Sequence, residues 1–170
     1  NKEVGMVIAV DEMLPNSDFV WFGQNGIEKV SLSRFVGSKK VVIFGVPGAF
    51  TPTCHSAHVP SFIRTKNDFK KKGIDTIICI SVNDRHVLKA WGEVTGATEA
   101  GIIMLGDAEA KFTTMLGMDF NAPGVGLINR SKRYSLFAIN GKVIIFNEEQ
   151  SRGECITSAG EALLRSIKEL

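Results

Sequence analysis

The sequence predicts an α/β fold with a central mixed sheet flanked by helices. Three observations point there. Residues 40–46 and 74–82 are continuous apolar, β-branched runs, the pattern of strands buried on both faces in a parallel sheet. Between them lies a segment of helical periodicity, which supplies the crossover a parallel pair needs. Asn140-Gly141 separates two further apolar runs and marks an antiparallel hairpin.

The elements follow in order. Residues 4–10 are apolar and β-rich and are expected as a first strand, with a short second strand at 18–21. Ser31-Leu32-Ser33-Arg34-Phe35 reads as one helical turn. After the strand at 40–46, residues 53–72 read as a helix. Phe62, Ile63, Lys66, Phe69 and Lys70 keep helical spacing, and Gly73 takes the left-handed position after it. Pro60 removes one backbone donor inside this helix, so a kink is expected near Val59. After the strand at 74–82, Asn83 is expected to cap a helix running to Thr95. Residues 102–105 form another short strand, and Asp107 starts a helix to Leu116. Residues 117–129, rich in Gly, Pro and Asn, are expected as loop. The hairpin takes 133–139 and 142–146. Ser158 and Glu161 form a capping box for the last helix, whose inner face carries Leu163, Leu164, Ile167 and Leu170. This order gives parallel strands joined by a crossover and completed by an antiparallel pair, a thioredoxin-like fold. Its 170 residues are 44% hydrophobic and show no repeat or linker, which suits one domain over 1–170.

Composition excludes several classes. The net charge is +2, only mildly basic, and the clusters at Lys39-Lys40 and Lys70-Lys71-Lys72 read as solvated surface charge. No nucleic-acid partner is expected. No apolar run reaches the ~20 residues of a bilayer span, so no membrane partner is expected, and no signal peptide is visible. Three cysteines, Cys54, Cys79 and Cys155, show no CxxC spacing. That fits a reducing intracellular compartment, the cytosol or an organelle after removal of a presequence, better than a disulfide framework.

Cys54 carries the strongest chemical signal. Thr51 is a good N-cap and Pro52 a good first helical residue, which puts Cys54 at N3. Backbone N–H groups there lack intrahelical partners and the helix dipole is positive, so both favour a thiolate. Helix N-termini and nearby cations lower cysteine pKa values from about 8.5 to ~3.5–7.5. The site also follows the C-terminal end of a central strand, where α/β proteins place ligands. The bland alternative is a capped helix holding a small buried residue. Zinc is a further alternative, because Cys54 and His58 stand at i, i+4, yet no second ligand cluster accompanies them and no metal is expected. His55 reads as exposed, His58 as a packing or supporting residue, and His86 as isolated. There is no GxSxG and no Walker lysine, and Gly124-Val125-Gly126 is too incomplete for a dinucleotide fingerprint.

Pro47, Thr51 and Cys54 form P-x-x-x-T-x-x-C, and the surrounding GVPGAFTPTCHSAHVPSF resembles the peroxiredoxins, closest to their type II subgroup of plant type II and animal atypical enzymes. The likeness continues through KKGIDTIICISVNDRHVLKAWG, LGDAEAKFTTMLGMD and NRSKRYSLFAINGKV, essentially the whole chain, with residues 117–129 departing most. The resemblance implies a thiol peroxidase acting on hydrogen peroxide and small alkyl hydroperoxides without metal, flavin or haem. Cys54 matches the peroxidatic cysteine, which becomes a sulfenic acid. Thr51 matches the hydroxyl that contacts sulfur and peroxide, and Pro47 the proline that shields the pocket. Arg133 matches the arginine that stabilises the developing charge, and Arg130 a nearby subgroup arginine. On the residues alone Arg133 reads as a surface ion-pair partner at a strand start. Recycling by an external thiol is expected, glutaredoxin with glutathione ahead of thioredoxin, with Cys79 and Cys155 as internal candidates. A homodimer is also implied. The alternative function is a redox-sensing interaction module that signals through oxidised Cys54.

Overall fold

The computed structural model describes residues 5–170. Nine strands and five α-helices alternate along it: β1 (Asp18–Gly23), β2 (Gly26–Ser31), α1 (Ser33–Val36), β3 (Lys40–Val46), α2 (Val59–Lys71), β4 (Thr76–Ser81), α3 (Arg85–Thr95), β5 (Ile103–Gly106), α4 (Lys111–Met115), β6 (Asp119–Ala122), β7 (Leu127–Ser131), β8 (Tyr134–Ile139), β9 (Lys142–Glu148) and α5 (Gly160–Lys168). Seven strands form one mixed sheet in the order β2-β1-β5-β4-β3-β8-β9. Its parallel centre is β3-β4-β5, with antiparallel strands on both sides. No helix among the described residues is long and apolar enough to cross a membrane.

β3 shows why the centre is apolar on both faces. Successive side chains of a strand point to opposite sides. Val41 and Ile43 join Phe35, Ile78, Ile80, Phe112 and Leu136 in one core layer, beneath α1 and α4. Val42, Phe44 and Val46 join Phe62, Phe69, Trp91 and Leu163 in the other, beneath α2, α3 and α5. The hairpin at Asn140-Gly141 forms as the dipeptide predicts, with both residues at positive φ, 52° and 79°.

Several expectations change. Residues 5–10 form no strand, and residue 4 lies outside the described residues. Ile8 is buried and its N–H bonds the Leu116 carbonyl, so this apolar segment packs without joining a ladder. β2 is unannounced because its residues alternate outward and inward at a sheet edge, leaving no apolar run. Asp84, not Asn83, caps α3, accepting from the N–H groups of His86 and Val87. Asn83 instead holds Ala49 N–H and Ser81 Oγ, tying the loop after β3 to the end of β4. α4 starts four residues late, after a turn through Ala110 at φ 57°, although Asp107 still receives the N–H groups of Phe112 and Thr113. Residues 117–129 hold β6 and much of β7, a separate two-stranded sheet. The capping box does not form, because Ser158 Oγ donates to Glu149 and Glu161 pairs with Arg64 at 2.8 Å.

Gly45 illustrates how tightly the centre is packed. It lies opposite Tyr134, and a Cβ built on it would run into the buried Tyr134 ring. Gly45→Ala is expected to lower unfolding stability by about 1–3 kcal/mol through overpacking. Urea denaturation measures this, and an unchanged midpoint would show that the ring can yield.

Candidate active site

The site grows from the C-terminal end of β3. The chain leaves the sheet at Val46, passes Pro47 and Gly48, and enters a helix at Pro52. The first turns are not α-helical. Cys54–His58 is a π turn, closed by the Val59 N–H bonding to the Cys54 carbonyl five residues back. Pro60, which has no N–H to give, follows this turn as the second residue of α2. A widened turn thus precedes the proline at which the kink was expected.

Thr51 does not use its side chain to cap the helix. Its carbonyl accepts the His55 N–H at 3.0 Å. Its hydroxyl stands 2.7 Å from the Gly48 carbonyl and 2.9 Å from Cys54 Sγ. One hydroxyl carries one proton, so it donates to one of these acceptors at a time. A thiolate draws that proton to sulfur, while a thiol can donate its own hydrogen to Thr51 and leave the hydroxyl on Gly48.

The cation arrives through strand register. β8 runs antiparallel to β3 with Tyr134 opposite Gly45, so the residue before β8 stands beside the chain leaving β3. That residue is Arg133, only 2% exposed, against a Cys54 that is 0% exposed. Arg133 Nη2 donates to Cys54 Sγ at 3.2 Å and to the Arg152 carbonyl at 2.9 Å. Nε donates to the same carbonyl at 3.3 Å, and Nη1 to His58 Nδ1 at 3.0 Å. A guanidinium has five N–H donors, so one on Nη1 remains without a partner among the described residues. Arg133 is thus no surface ion pair: no carboxylate pairs with it among the described residues.

His58 holds this arrangement. Its Nε2 donates to the Ser158 carbonyl at 3.0 Å, which leaves Nδ1 with a lone pair for Arg133. Burial, with the Arg133 charge beside it, lowers its pKa to about 3, so the ring stays neutral. Both ring nitrogens are occupied, which removes the basis for a Cys54–His58 metal pair. No group of three His, Cys, Asp or Glu side chains suited to a metal occurs among the described residues. His55 is half-buried rather than exposed, and its Nδ1 accepts from the Trp91 indole at 3.1 Å. His86 packs against Phe22.

Arg130 Nη1 donates to the Pro47 carbonyl at 3.2 Å and lies where a side chain on Gly48 would sit. Pro47 itself is buried. Pro47, Thr51, Pro52, Val125, Leu127 and Arg133 line a cleft of about 410 Å³. The 117–129 segment therefore contributes wall residues to it, Val125 and Leu127. The other cysteines lie elsewhere. Cys79 is on β4 between Phe44 and Met104, and burial pushes its thiol well up. Cys155 is half-buried after β9, and burial raises its thiol too, against the opposing effects of Ser158 and Arg133. Sequence reasoning missed the Arg152 carbonyl and the donor role of Arg133 toward His58, because backbone carbonyls carry no residue signal.

Comparison with known proteins agrees in one direction. A family model described as Redoxin matches residues 10–163. Peroxiredoxin-2C of Arabidopsis thaliana is 40% identical over 161 residues, 94% of this chain and 98% of the relative. The mitochondrial Peroxiredoxin-2F of the same plant is 41% identical over 136 residues, 80% and 67% of the two chains. Chloroplastic peroxiredoxins also match. Among solved structures, reduced Prx3 of Vibrio vulnificus in complex with hydrogen peroxide superposes with a TM-score of 0.88 at 38% identity, covering 95% of this chain and 99% of that one.

The neutral His58 has a consequence for stability. Its folded pKa lies below the unfolded value of 6.5, so between pH 6.5 and about 3 the unfolded chain binds one more proton. Stability contributed by the neutral ring is intact above that window and is lost as pH falls through it, by up to about 1.4 kcal/mol per pH unit. Urea unfolding of the wild type is expected to lose about 2 kcal/mol more than His58→Gln between about pH 7 and pH 5. Equal losses in the two proteins would contradict a neutral buried imidazole.

Proposed function

The chain belongs to the redoxin family, within it to the type II peroxiredoxins, and we propose that Cys54 is the thiol through which it works as a thiol-dependent peroxidase. One observation carries this reading: a fully buried sulfur meets a hydroxyl at 2.9 Å and a guanidinium at 3.2 Å beside an open cleft. The Cys54 thiolate attacks the nearer peroxide oxygen. The O–O bond breaks, sulfur loses two electrons, and the departing oxygen takes a proton to leave as water or an alcohol. Cys54 becomes a sulfenic acid.

Negative charge moves from sulfur to the departing oxygen during this step. Donors fixed beforehand in a dry site stabilise that charge more in the transition state than in the ground state. Arg133 supplies the cation and, on Nη1, an N–H with no partner among the described residues. Thr51 supplies a hydroxyl that follows the charge. Pro47 closes the pocket against water, and Arg130 fixes its carbonyl.

The substrates are hydrogen peroxide and small alkyl hydroperoxides. The apolar side chains lining the cleft suit a short alkyl group, and the Vibrio relative was solved with hydrogen peroxide. Recycling uses an external thiol, glutaredoxin with glutathione ahead of thioredoxin. Supporting this, Cys79 is locked mid-strand between two neighbours, and burial holds both remaining thiols in their less reactive protonated form. A homodimer and a reducing compartment complete the reading; all three cysteines are free.

Stopped-flow reduction of hydrogen peroxide tests it. Cys54→Ser should lose the reaction altogether, and Arg133→Ala should slow it by about 10²–10³-fold. With glutaredoxin and glutathione, Cys155→Ser should turn over at close to the wild-type rate. Full activity of Cys54→Ser would overturn the reading, and lost turnover in Cys155→Ser would make Cys155 the resolving thiol.

A further inference from the structure

We infer that Glu149 is a positioning residue for peroxide reduction, holding the two backbone carbonyls that orient Arg133 and His58. This rests on the assignment of Arg133 to the reaction. Glu149 directly follows β9 and is 6% exposed. Its carboxylate turns back onto its own downstream loop. Oε2 accepts the N–H of Ile156 at 2.9 Å, the N–H of Ser158 at 3.0 Å and the Ser158 hydroxyl at 2.7 Å, and Oε1 accepts the N–H of Thr157 at 3.4 Å. Its own N–H bonds the Arg133 carbonyl at 2.9 Å.

The loop so closed, residues 149–158, presents two carbonyls to the site. Arg152 O takes two N–H groups of Arg133, and Ser158 O takes Nε2 of His58, whose other nitrogen receives Arg133. Thr53 Oγ1 also bonds the Gly153 carbonyl at 3.0 Å, joining the same loop to the helix that carries Cys54. Glu149 therefore holds Ser158 directly and closes the loop that carries the Arg152 carbonyl, the sources of the guanidinium's contacts other than the sulfur among the described residues. Burial alone would push its carboxyl up, but the bonds from Ser158, Ile156 and Thr157 outweigh this and hold it below the usual carboxylate range. Its charge is spent on amides, so it fixes the loop without forming an ion pair with Arg133. Loosening the loop lets the guanidinium drift from the reacting oxygens, and misplacements near 1 Å cost about 10²-fold in rate.

A double-mutant cycle on the peroxide rate tests this. Glu149→Ala is expected to slow the reaction at least about tenfold in the wild type and less than about twofold in Arg133→Ala, since there is then no guanidinium to orient. Glu149→Gln keeps a carbonyl oxygen for the Ser158 and Ile156 donors and should recover most of the rate. If Glu149→Ala does not fold, the cycle is read with Glu149→Asp, which withdraws the carboxylate by one methylene, and the same non-additive pattern is expected. A wild-type rate in folded Glu149→Ala, or the same factor in both backgrounds, overturns the proposal and leaves the assignment of Arg133 standing. An Arg133→Ala enzyme as fast as wild type overturns both.

Discussion

A buried guanidinium in contact with a buried sulfur is the constraint on which the rest of the structure depends. Desolvating a cation costs several kcal/mol unless its donors are met. Arg133 has no carboxylate partner among the described residues, so a carbonyl, a neutral imidazole and the sulfur take that role. Each of these needs its own support. The carbonyl needs the loop after β9 held in place. The imidazole must stay neutral, which burial and the adjacent cation enforce. The sulfur needs the wide turn at Cys54–His58, which sets both residues on the buried side of one helix.

This arrangement explains why burial means different things for the cysteines. Cys54 and Cys79 are both almost fully buried and share one core layer. Around Cys79 there is apolar packing and a closed ladder on either side, and burial simply disfavours its charged form. Around Cys54 there are a hydroxyl and a cation at hydrogen-bond distance, so charge on sulfur has partners. What separates the two sulfurs is their partners, not their exposure.

How much of this could be read from the residues follows from how local each cause is. β3 was legible because an apolar β-branched run carries its own signal, and so was the turn at Asn140-Gly141. Cys54 stood out as a candidate because two neighbours, Thr51 and Pro52, mark a helix start. The cap of α3 was misplaced by one residue because Asn83 and Asp84 both suit the position, and a distant amide, Ala49 N–H, claims Asn83. The capping box at Ser158 failed for the same reason, since Glu149 outcompetes the local partner. β2 and the β6–β7 pair lie at edges, where burial leaves too few apolar residues to announce a strand. Arg133 was assigned only through family resemblance. What brings it to Cys54 is the β3–β8 register, a long-range pairing that no local window contains.

Under the proposed function Arg133 contributes in two ways: its charge stands beside Cys54 Sγ, and its N–H groups receive the charge that leaves with the peroxide oxygen. Comparing peroxide reduction with iodoacetamide alkylation of Cys54, in the wild type and in Arg133→Lys, separates these two contributions. Both reactions need the thiolate, but only peroxide develops charge on an oxygen in the cleft. Lysine keeps the positive charge and loses the planar fork of donors. The account predicts that peroxide reduction slows at least about tenfold more than alkylation, because only the former loses transition-state donors. Equal slowing of the two reactions would contradict it.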